Sequence, residues 1–202
     1  MDSKDVAYAR LLATWPGLVS GPAAPLIEDC LVLLDHLGDA RSVVDVGSGG
    51  GMPGIPLKIV RPDLRVVLVE SDGRKAAFLV HAAARLDLDV EVVAERAETA
   101  GRGPLRETFD VAVCRALAPM PVLAELCLPF VRVGGRLLAM KTQVEEAAAA
   151  IDALGGGPAQ VVSAPSAARE RGTVVVVHKL APTPSAYPRR PGLPARRPLG
   201  GA

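Results

Sequence analysis

The chain has 202 residues, of which half are apolar and 22% are charged, and its net charge at pH 7 is +1. This length and composition predict one globular domain with a sizeable core, and the charge excludes an overall basic field for nucleic acid. No apolar run reaches the ~18 residues of a membrane helix and no signal peptide is visible, so we expect a cytoplasmic protein without membrane association.

The cysteines and histidines do not form a metal-binding pattern. Cys30, Cys114 and Cys127 are odd in number and lack metal-ligand spacing. The three histidines fall in separate predicted elements. We therefore expect reduced thiols in the core and no metal site.

The N-terminal part, residues 1–40, is predicted to be a helical extension of the main domain. One helix is predicted over residues 5–14, where Trp15-Pro-Gly17 ends it. A second helix is predicted over residues 26–37, closed by Gly38. We expect both helices to pack on the main sheet.

From residue 42 onward, strands and helices alternate. Strands are predicted over residues 42–46, 65–70, 89–94, 108–114, 135–140, 160–164 and 173–177, with helices over 54–60, 73–86, 119–130 and 144–154. This alternation predicts a doubly wound α/β sheet that is mostly parallel. Two successive strands at the end predict an antiparallel edge hairpin. Dinucleotide-binding sheets usually lack such a hairpin, so it favours the sheet of S-adenosylmethionine (SAM) enzymes.

A glycine-rich loop follows the first of these strands. Residues 45–56 read Asp-Val-Gly-Ser-Gly-Gly-Gly-Met-Pro-Gly-Ile-Pro, and Gly49, Gly51 and Gly54 satisfy the G-x-G-x-x-G pattern. The second strand ends at Glu70, 23 positions after Gly47, close to the ~20 expected for a carboxylate that binds ribose hydroxyls. The loop therefore predicts a nucleotide site for either a dinucleotide or SAM.

The tail, residues 182–202, contains six prolines and four arginines. It has no apolar periodicity, so we expect an extended, largely disordered arm beyond a single domain of residues 1–181. The arm is either a solvated terminus or a contact for RNA phosphates through its arginines. Those arginines are Arg189, Arg190, Arg196 and Arg197.

Several segments together resemble the ribosomal RNA small subunit methyltransferase G family, also called glucose-inhibited division protein B. The likeness is good over residues 42–141 and moderate over 172–198. The sequence departs from the family at Pro25-Leu26, where an Arg-His pair is usual, and at Leu117 and Thr142. The segments that carry the resemblance are Asp45–Leu57, Glu70–Leu79, Cys114–Ala118, Gly134–Lys141 and Tyr187–Pro194.

The resemblance implies SAM-dependent methylation of guanine N7 in the decoding-region loop of 16S rRNA, by a single class I methyltransferase domain. It implies SAM as cofactor and the small ribosomal subunit as partner, and we expect a monomer. By match to the family, the cofactor contacts include Gly47, Met52, Ala97, Glu98 and Arg115.

The residues suggest further cofactor contacts around the loop. Glu70 should accept the ribose hydroxyl hydrogens, with Asp72 as the alternative and Ser71 beside them. Asp45 could act through water on the methionine ammonium or merely orient the turn. With these, the predicted cofactor set is Asp45, Gly47, Gly49, Gly51, Met52, Glu70, Ser71, Asp72, Ala97, Glu98 and Arg115.

Guanine N7 carries no proton, so we expect no general base and assign the catalytic role to positioning by Arg115 and Lys141. Arg115 at the end of strand four can hold the methionine carboxylate or RNA oxygens, or form a structural ion pair. Lys141, Arg74 and Lys75 could form an RNA-facing patch, to which the tail arginines would add.

Two other functions are compatible with the same loop. A nicotinamide-dependent oxidoreductase would need a substrate domain with a proton-transfer residue, for which this chain has little room. A non-catalytic RNA-binding or assembly module could use the same fold without transferring a methyl group.

Overall fold

Seven strands form one sheet in the computed structural model, which describes residues 3–200. The order across the sheet is β3-β2-β1-β4-β5-β7-β6. Strands β1 to β5 run parallel, and β7 is antiparallel to both β5 and β6. The strands are β1 (Ser42–Val46), β2 (Arg65–Val69), β3 (Val90–Val93), β4 (Phe109–Arg115), β5 (Val131–Lys141), β6 (Gln160–Ser163) and β7 (Thr173–His178).

Helices cover both faces of this sheet. Short 3-10 turns at Leu31–Leu33 and Leu128–Phe130 extend two of them. The mostly parallel α/β sheet with its antiparallel edge hairpin confirms the predicted fold class. The helices are α1 (Ser3–Thr14), α2 (Ala23–Cys30), α3 (Leu34–Leu37), α4 (Gly54–Val60), α5 (Gly73–Leu86), α6 (Ala97–Ala100), α7 (Met120–Cys127), α8 (Ala148–Ala153) and α9 (Leu193–Arg196).

The strands β1, β2, β4 and β7 are buried on both faces of the sheet, which explains why they read as nearly continuous apolar runs, whereas the edge strand β6 is exposed. Successive residues of a strand point to opposite faces. In β1, Val43 packs in the cluster with helices α1 to α5, while Val44 and Val46 pack in the cluster with α7 and α8. The four valines of β7 divide between the two clusters in the same way.

Most predicted boundaries agree with the structure, and the differences have local causes. β1, α4 and α5 have the predicted bounds. The predicted helix over 144–154 begins only at Ala148, whose backbone N–H is satisfied by the Glu146 carboxylate at 2.7 Å. The predicted helix over 26–37 is broken by the 3-10 turn, and α6 and α9 were not predicted.

The C-terminal segment from residue 182 lies against the domain, unlike the largely disordered arm that its composition predicts. Polar contacts fix it in place. Arg102 Nε donates to the Pro188 carbonyl at 2.6 Å, and Arg106 Nη2 donates to the Thr183 carbonyl at 2.6 Å. The Arg189 guanidinium pairs with the fully buried Glu125 at 2.6 Å. The segment is therefore ordered by arginine–carbonyl contacts and one ion pair rather than by an apolar stripe.

Replacing Arg189 by Ala should destabilise the fold strongly, because the Glu125 carboxylate would stay buried without its partner. Breaking a buried pair costs about 3–5 kcal/mol, and the exposed fifth of the Arg189 side chain places this case at the lower end. Urea denaturation measures the free energy of unfolding. The matched control is Arg190→Ala on an exposed side chain, with an expected change within about 0.5 kcal/mol. Equal effects of the two variants would contradict this account.

Candidate active site

A cleft of about 390 Å³ opens at the carboxyl ends of the central strands. The strand order reverses between β1 and β4, and open α/β sheets bind ligands at such a switch point. We call this space the main cleft. Its wall includes Gly47, Ser48, Gly49, Met52, Glu70 and Arg115.

The loop after β1 needs glycine at two places for different reasons. Gly47 lies in the main cleft with φ +71°, and a Cβ there would lie 2.4 Å from Leu117 Cδ1. A Cβ on Gly54 would lie 2.4 Å from Leu68 Cδ2 and 2.9 Å from Asp45 Oδ2. The first glycine keeps the cleft wall bare, and the second lets α4 start close against the sheet.

Glu70 connects the loops that follow β1 and β2. Its Oε2 accepts the Gly49 N–H at 2.8 Å, and its Oε1 accepts the Asp72 N–H at 2.8 Å. The side chain is buried, yet it lines the main cleft. A carboxylate has about four acceptor positions, so two remain for hydroxyl groups of a bound ribose.

Asp72, the alternative ribose ligand, lies outside the main cleft. It caps α5 by accepting the N–H groups of Arg74 and Lys75 at 2.9 and 3.0 Å. These backbone hydrogen bonds lower the pKa of its exposed carboxyl group. Ser71 does line the cleft. The geometry therefore favours Glu70 over Asp72 for the ribose.

Asp45 lies behind the loop and is fully buried. Its Oδ2 accepts the Gly54 N–H at 2.9 Å, whereas its Oδ1 is buried without a hydrogen-bond partner in the described part of the chain. Burial raises its pKa to about 7, against the lowering effect of the Gly54 hydrogen bond. The structure thus gives Asp45 the turn-orienting role. Contact with a methionine ammonium stays a prediction.

The predicted pair Ala97 and Glu98 begins α6, and neither residue lines the main cleft. Glu98 is buried, and its Oε1 accepts the Gly192 N–H at 2.8 Å and pairs with Arg96 at 3.2 Å. The Glu98 carboxylate is therefore engaged with the C-terminal segment, and its contact with a cofactor stays a prediction. Gly51 is also outside the cleft wall, where it packs against Ile55.

Arg115 ends β4 and lines the main cleft, as predicted for its position. Its Nε lies 3.4 Å from Oδ2 of the fully buried Asp29 in α2. The same carboxylate pairs with Arg169 at 2.8 Å. Arg115 therefore forms the predicted structural ion pair and also lines the main cleft, while its contact with a methionine carboxylate or RNA oxygens stays a prediction.

Asp29 and Arg169 were not predicted from the sequence. The signal that could have found Asp29 is the Glu28-Asp29 pair within the otherwise apolar run from Leu26 to Leu34, where Glu28 is exposed and Asp29 is buried. Such a residue needs a cationic partner when it is buried. Arg169 lies 140 residues away in the loop between β6 and β7, so no local pattern connects the two.

The residues predicted to face RNA differ in their position relative to the main cleft and in their partners. Lys141 Nζ donates to the Ala118 carbonyl at 3.1 Å and pairs with Glu145 at 3.0 Å. Lys75 lines the main cleft, whereas Arg74 donates to the Pro16 carbonyl at 2.9 Å. The Arg189 guanidinium is paired with Glu125, and a phosphate contact of Arg189 stays a prediction. The tail arginines with exposed side chains are Arg190, Arg196 and Arg197.

Residues 3–200 contain no candidate metal cluster and no membrane-spanning helix. No group of three or more His, Cys, Asp or Glu among them could hold a metal ion. No helix in that range is long and apolar enough to cross a membrane.

A family model described as rRNA small subunit methyltransferase G matches residues 24–170, which include the loop, Glu70, Arg115 and Arg169. The chain belongs to this family. Membership in the rRNA small subunit methyltransferase G family confirms the resemblance found in the sequence, the enzyme class and SAM as the methyl donor.

Curated members of the family are similar over most of the chain. The ribosomal RNA small subunit methyltransferase G of Roseiflexus sp. (strain RS-1) is 53% identical over 170 residues, covering 80% of this chain and 73% of the relative. The ribosomal RNA small subunit methyltransferase G of Staphylococcus aureus (strain Newman) is 44% identical over 212 residues, covering 95% of this chain and 87% of the relative. A solved mutant of MtNAS in complex with S-adenosylmethionine has a TM-score of 0.62 at 23% identity, over 88% of this chain and 72% of that one. This last likeness shows the fold alone.

Replacing Glu70 by Ala should weaken SAM binding by about 1.5–3 kcal/mol, because a charged acceptor for the ribose and for the Gly49 N–H is lost. Titration calorimetry with SAM measures this. The control is Asp72→Ala, which removes the α5 cap and should lower stability by about 1 kcal/mol with little effect on SAM. A larger loss of affinity in the Asp72 variant would reverse the assignment.

Asp45 should make stability depend on pH. Its raised pKa means that the folded protein binds this proton more tightly than the unfolded chain between about pH 4 and 7. The free energy of unfolding should therefore fall as the pH rises through that window, by at most about 1.4 kcal/mol per pH unit from this group. Asp45→Asn keeps an oxygen that can accept the Gly54 N–H, but it has no carboxyl group that titrates.

Urea unfolding of wild type and Asp45→Asn at pH 5 and pH 8 measures the effect. The variant should gain stability relative to wild type at pH 8. A difference that does not change with pH would contradict the raised pKa.

Proposed function

We propose that this chain transfers the methyl group of SAM to N7 of a guanine in the decoding-region loop of 16S rRNA, acting as a monomer on the small ribosomal subunit in the cytoplasm. The observation that carries the proposal is the main cleft. A bare glycine loop lies between a carboxylate, Glu70, and a guanidinium, Arg115. Family membership supplies rRNA as the substrate class.

The residues of the main cleft fit this cofactor. Glu70 has acceptor capacity left for two ribose hydroxyls, and Gly47 exposes main chain in the wall beside Leu117, whose side chain a Cβ would meet. Arg115 presents a guanidinium that can pair with the methionine carboxylate. When bound, SAM supplies an electrophilic methyl group on a sulfonium.

The acceptor atom requires little chemistry from the protein. Guanine N7 has a lone pair and no proton, so its attack leaves no proton for a base to remove. The described acidic residues near the site agree with that requirement. Glu70 already accepts two N–H groups, and Glu145 is paired with Lys141. The protein therefore contributes alignment and exclusion of water, and a displacement of about 1 Å can cost on the order of 100-fold in rate.

The target guanine must be unpaired or displaced, because the major groove of A-form RNA is too narrow to expose N7 to a protein. Lys75 lines the main cleft and Lys141 lines the neighbouring cavity, so the two side chains could hold the RNA strand beside the cofactor. The exposed arginines of the tail, Arg190, Arg196 and Arg197, could add distant phosphate contacts.

The test is to incubate the protein with methyl-labelled SAM and unmodified small subunits, and to map the methylated nucleotide. We expect one 7-methylguanine in 16S rRNA and no tight binding of nicotinamide cofactors. Methylation of another atom, or binding of SAM without transfer, would overturn the proposed reaction.

Arg115→Ala should reduce methyl transfer at least ~100-fold while the fold persists, because the guanidinium positions the two reactants. Arg115→Lys should recover only part, since an ammonium cannot hold two oxygens in one plane. A thermal melt of each variant separates misalignment from unfolding. The control is Arg85→Ala, an exposed arginine on α5 that should transfer at the wild-type rate. Near-normal transfer in Arg115→Ala would refute the role.

A further inference from the structure

A second cavity of about 210 Å³ lies beside the main cleft and shares Arg115 and Ala116 with it. We call it the side cavity. Three cationic side chains line it, Arg115, Lys141 and Arg169, against one carboxylate, Glu145, which is already paired with Lys141. The charge of this wall favours an anion.

The buried Asp29 carboxylate fixes the two arginines from behind. Its Oδ1 accepts the Ser166 hydroxyl at 2.6 Å, and both its oxygens accept Arg169 Nε within 2.9 Å. Arg115 Nε lies 3.4 Å from Oδ2. One carboxylate between two guanidinium groups leaves one positive charge without a counter-charge inside this cluster.

Both arginines keep donor groups that no described residue satisfies. Asp29 engages Arg115 through Nε, and the Nη groups of Arg115 have no hydrogen-bond partner in residues 3–200. Arg169 Nη1 donates to the Lys141 carbonyl at 2.8 Å, but its Nη2 is buried and has no acceptor in the described chain. The Arg169 side chain is 92% buried. Buried guanidinium nitrogens are nearly always hydrogen-bonded, so this one requires an acceptor from outside the chain.

We propose that the side cavity binds a backbone phosphate of the rRNA next to the target guanine, with Arg169 and Arg115 as its donors. The inference rests on the proposed function, because RNA is the source of the anion. Guanidinium groups suit phosphate oxygens, since their donors are planar and paired. The shared wall at Arg115 would place the phosphate at the edge of the main cleft, where it would fix the guanine relative to the methyl group.

The test uses the full chain with small subunits and a 16S rRNA fragment, over a range of salt concentrations. Arg169→Met should leave SAM affinity within about twofold and raise the KM for small subunits roughly 10-fold. The slope of log binding constant against log salt should fall by about 0.7–0.9, the value for one phosphate contact. Inorganic phosphate should compete with the RNA fragment less well in the variant than in wild type.

Arg169→Lys keeps the positive charge but lacks the second guanidinium donor. It should therefore keep the slope of log binding constant against log salt and still raise the KM for small subunits. The matched control is Arg171→Ala, an exposed arginine two residues away, which should change neither KM nor slope. Thermal melts accompany every variant. If Arg169→Met does not fold, an unchanged KM in Arg169→Lys would overturn the proposal.

The remaining outcomes separate this inference from the proposed function. A raised KM with an unchanged slope in Arg169→Met would assign the contact to a neutral oxygen such as guanine O6, and would refute a phosphate site. Unchanged KM and slope with active wild type would refute the inference and leave the methyltransferase proposal standing. A reduced slope with inactive wild type would support the phosphate site and refute the reaction.

Discussion

One buried charge connects the parts that form the site. The Asp29 carboxylate comes from α2, and it meets Arg115 at the end of β4 and Arg169 in the loop between β6 and β7. Charges out of water are tolerated only when they are paired and hydrogen-bonded, so these three segments must come together or the fold carries an uncompensated charge. The N-terminal helices thereby support the cleft from behind, and the loop between α1 and α2 lines it through Leu18, Val19 and Ser20.

Two further carboxylates have different structural roles around the glycine loop. Asp45 is sealed beneath the loop and fixes the start of α4 through Gly54, whereas Glu70 lies in the cleft wall and joins the loops after β1 and β2. Both sit near the carboxyl edge of the parallel strands. Their environments differ because Asp45 is fully buried beneath the loop, whereas the buried Glu70 side chain lines the main cleft. A carboxylate thus supports the backbone in one place and lines the main cleft in the other.

The sheet could be predicted well from the sequence because characteristic residues mark the ends of its strands and helices. Gly54 with the prolines around α4, and Asp72 ahead of α5, mark boundaries that short-range rules can read. The sequence also predicted Glu70 and Arg115, since both end strands at the edge where ligands bind. It could not predict the pairing of Asp29 with Arg169, because such a contact depends on the folded topology. The tail was misread for a similar reason, since composition rules count apolar residues and overlook Arg102 and Arg106.

The ion pair between Glu125 and Arg189 can form only late in the synthesis of the chain. Glu125 is made 64 residues before Arg189, its ionic partner. A nascent chain that has completed β7 has all its strands, yet the carboxylate on α7 still lacks its counter-charge. Until Arg189 leaves the ribosomal exit tunnel, that carboxylate must stay hydrated. Translation that stops between the end of β7 and Arg189 would therefore release a product with a complete sheet and an unpaired carboxylate, which quality-control proteases could distinguish from the finished enzyme.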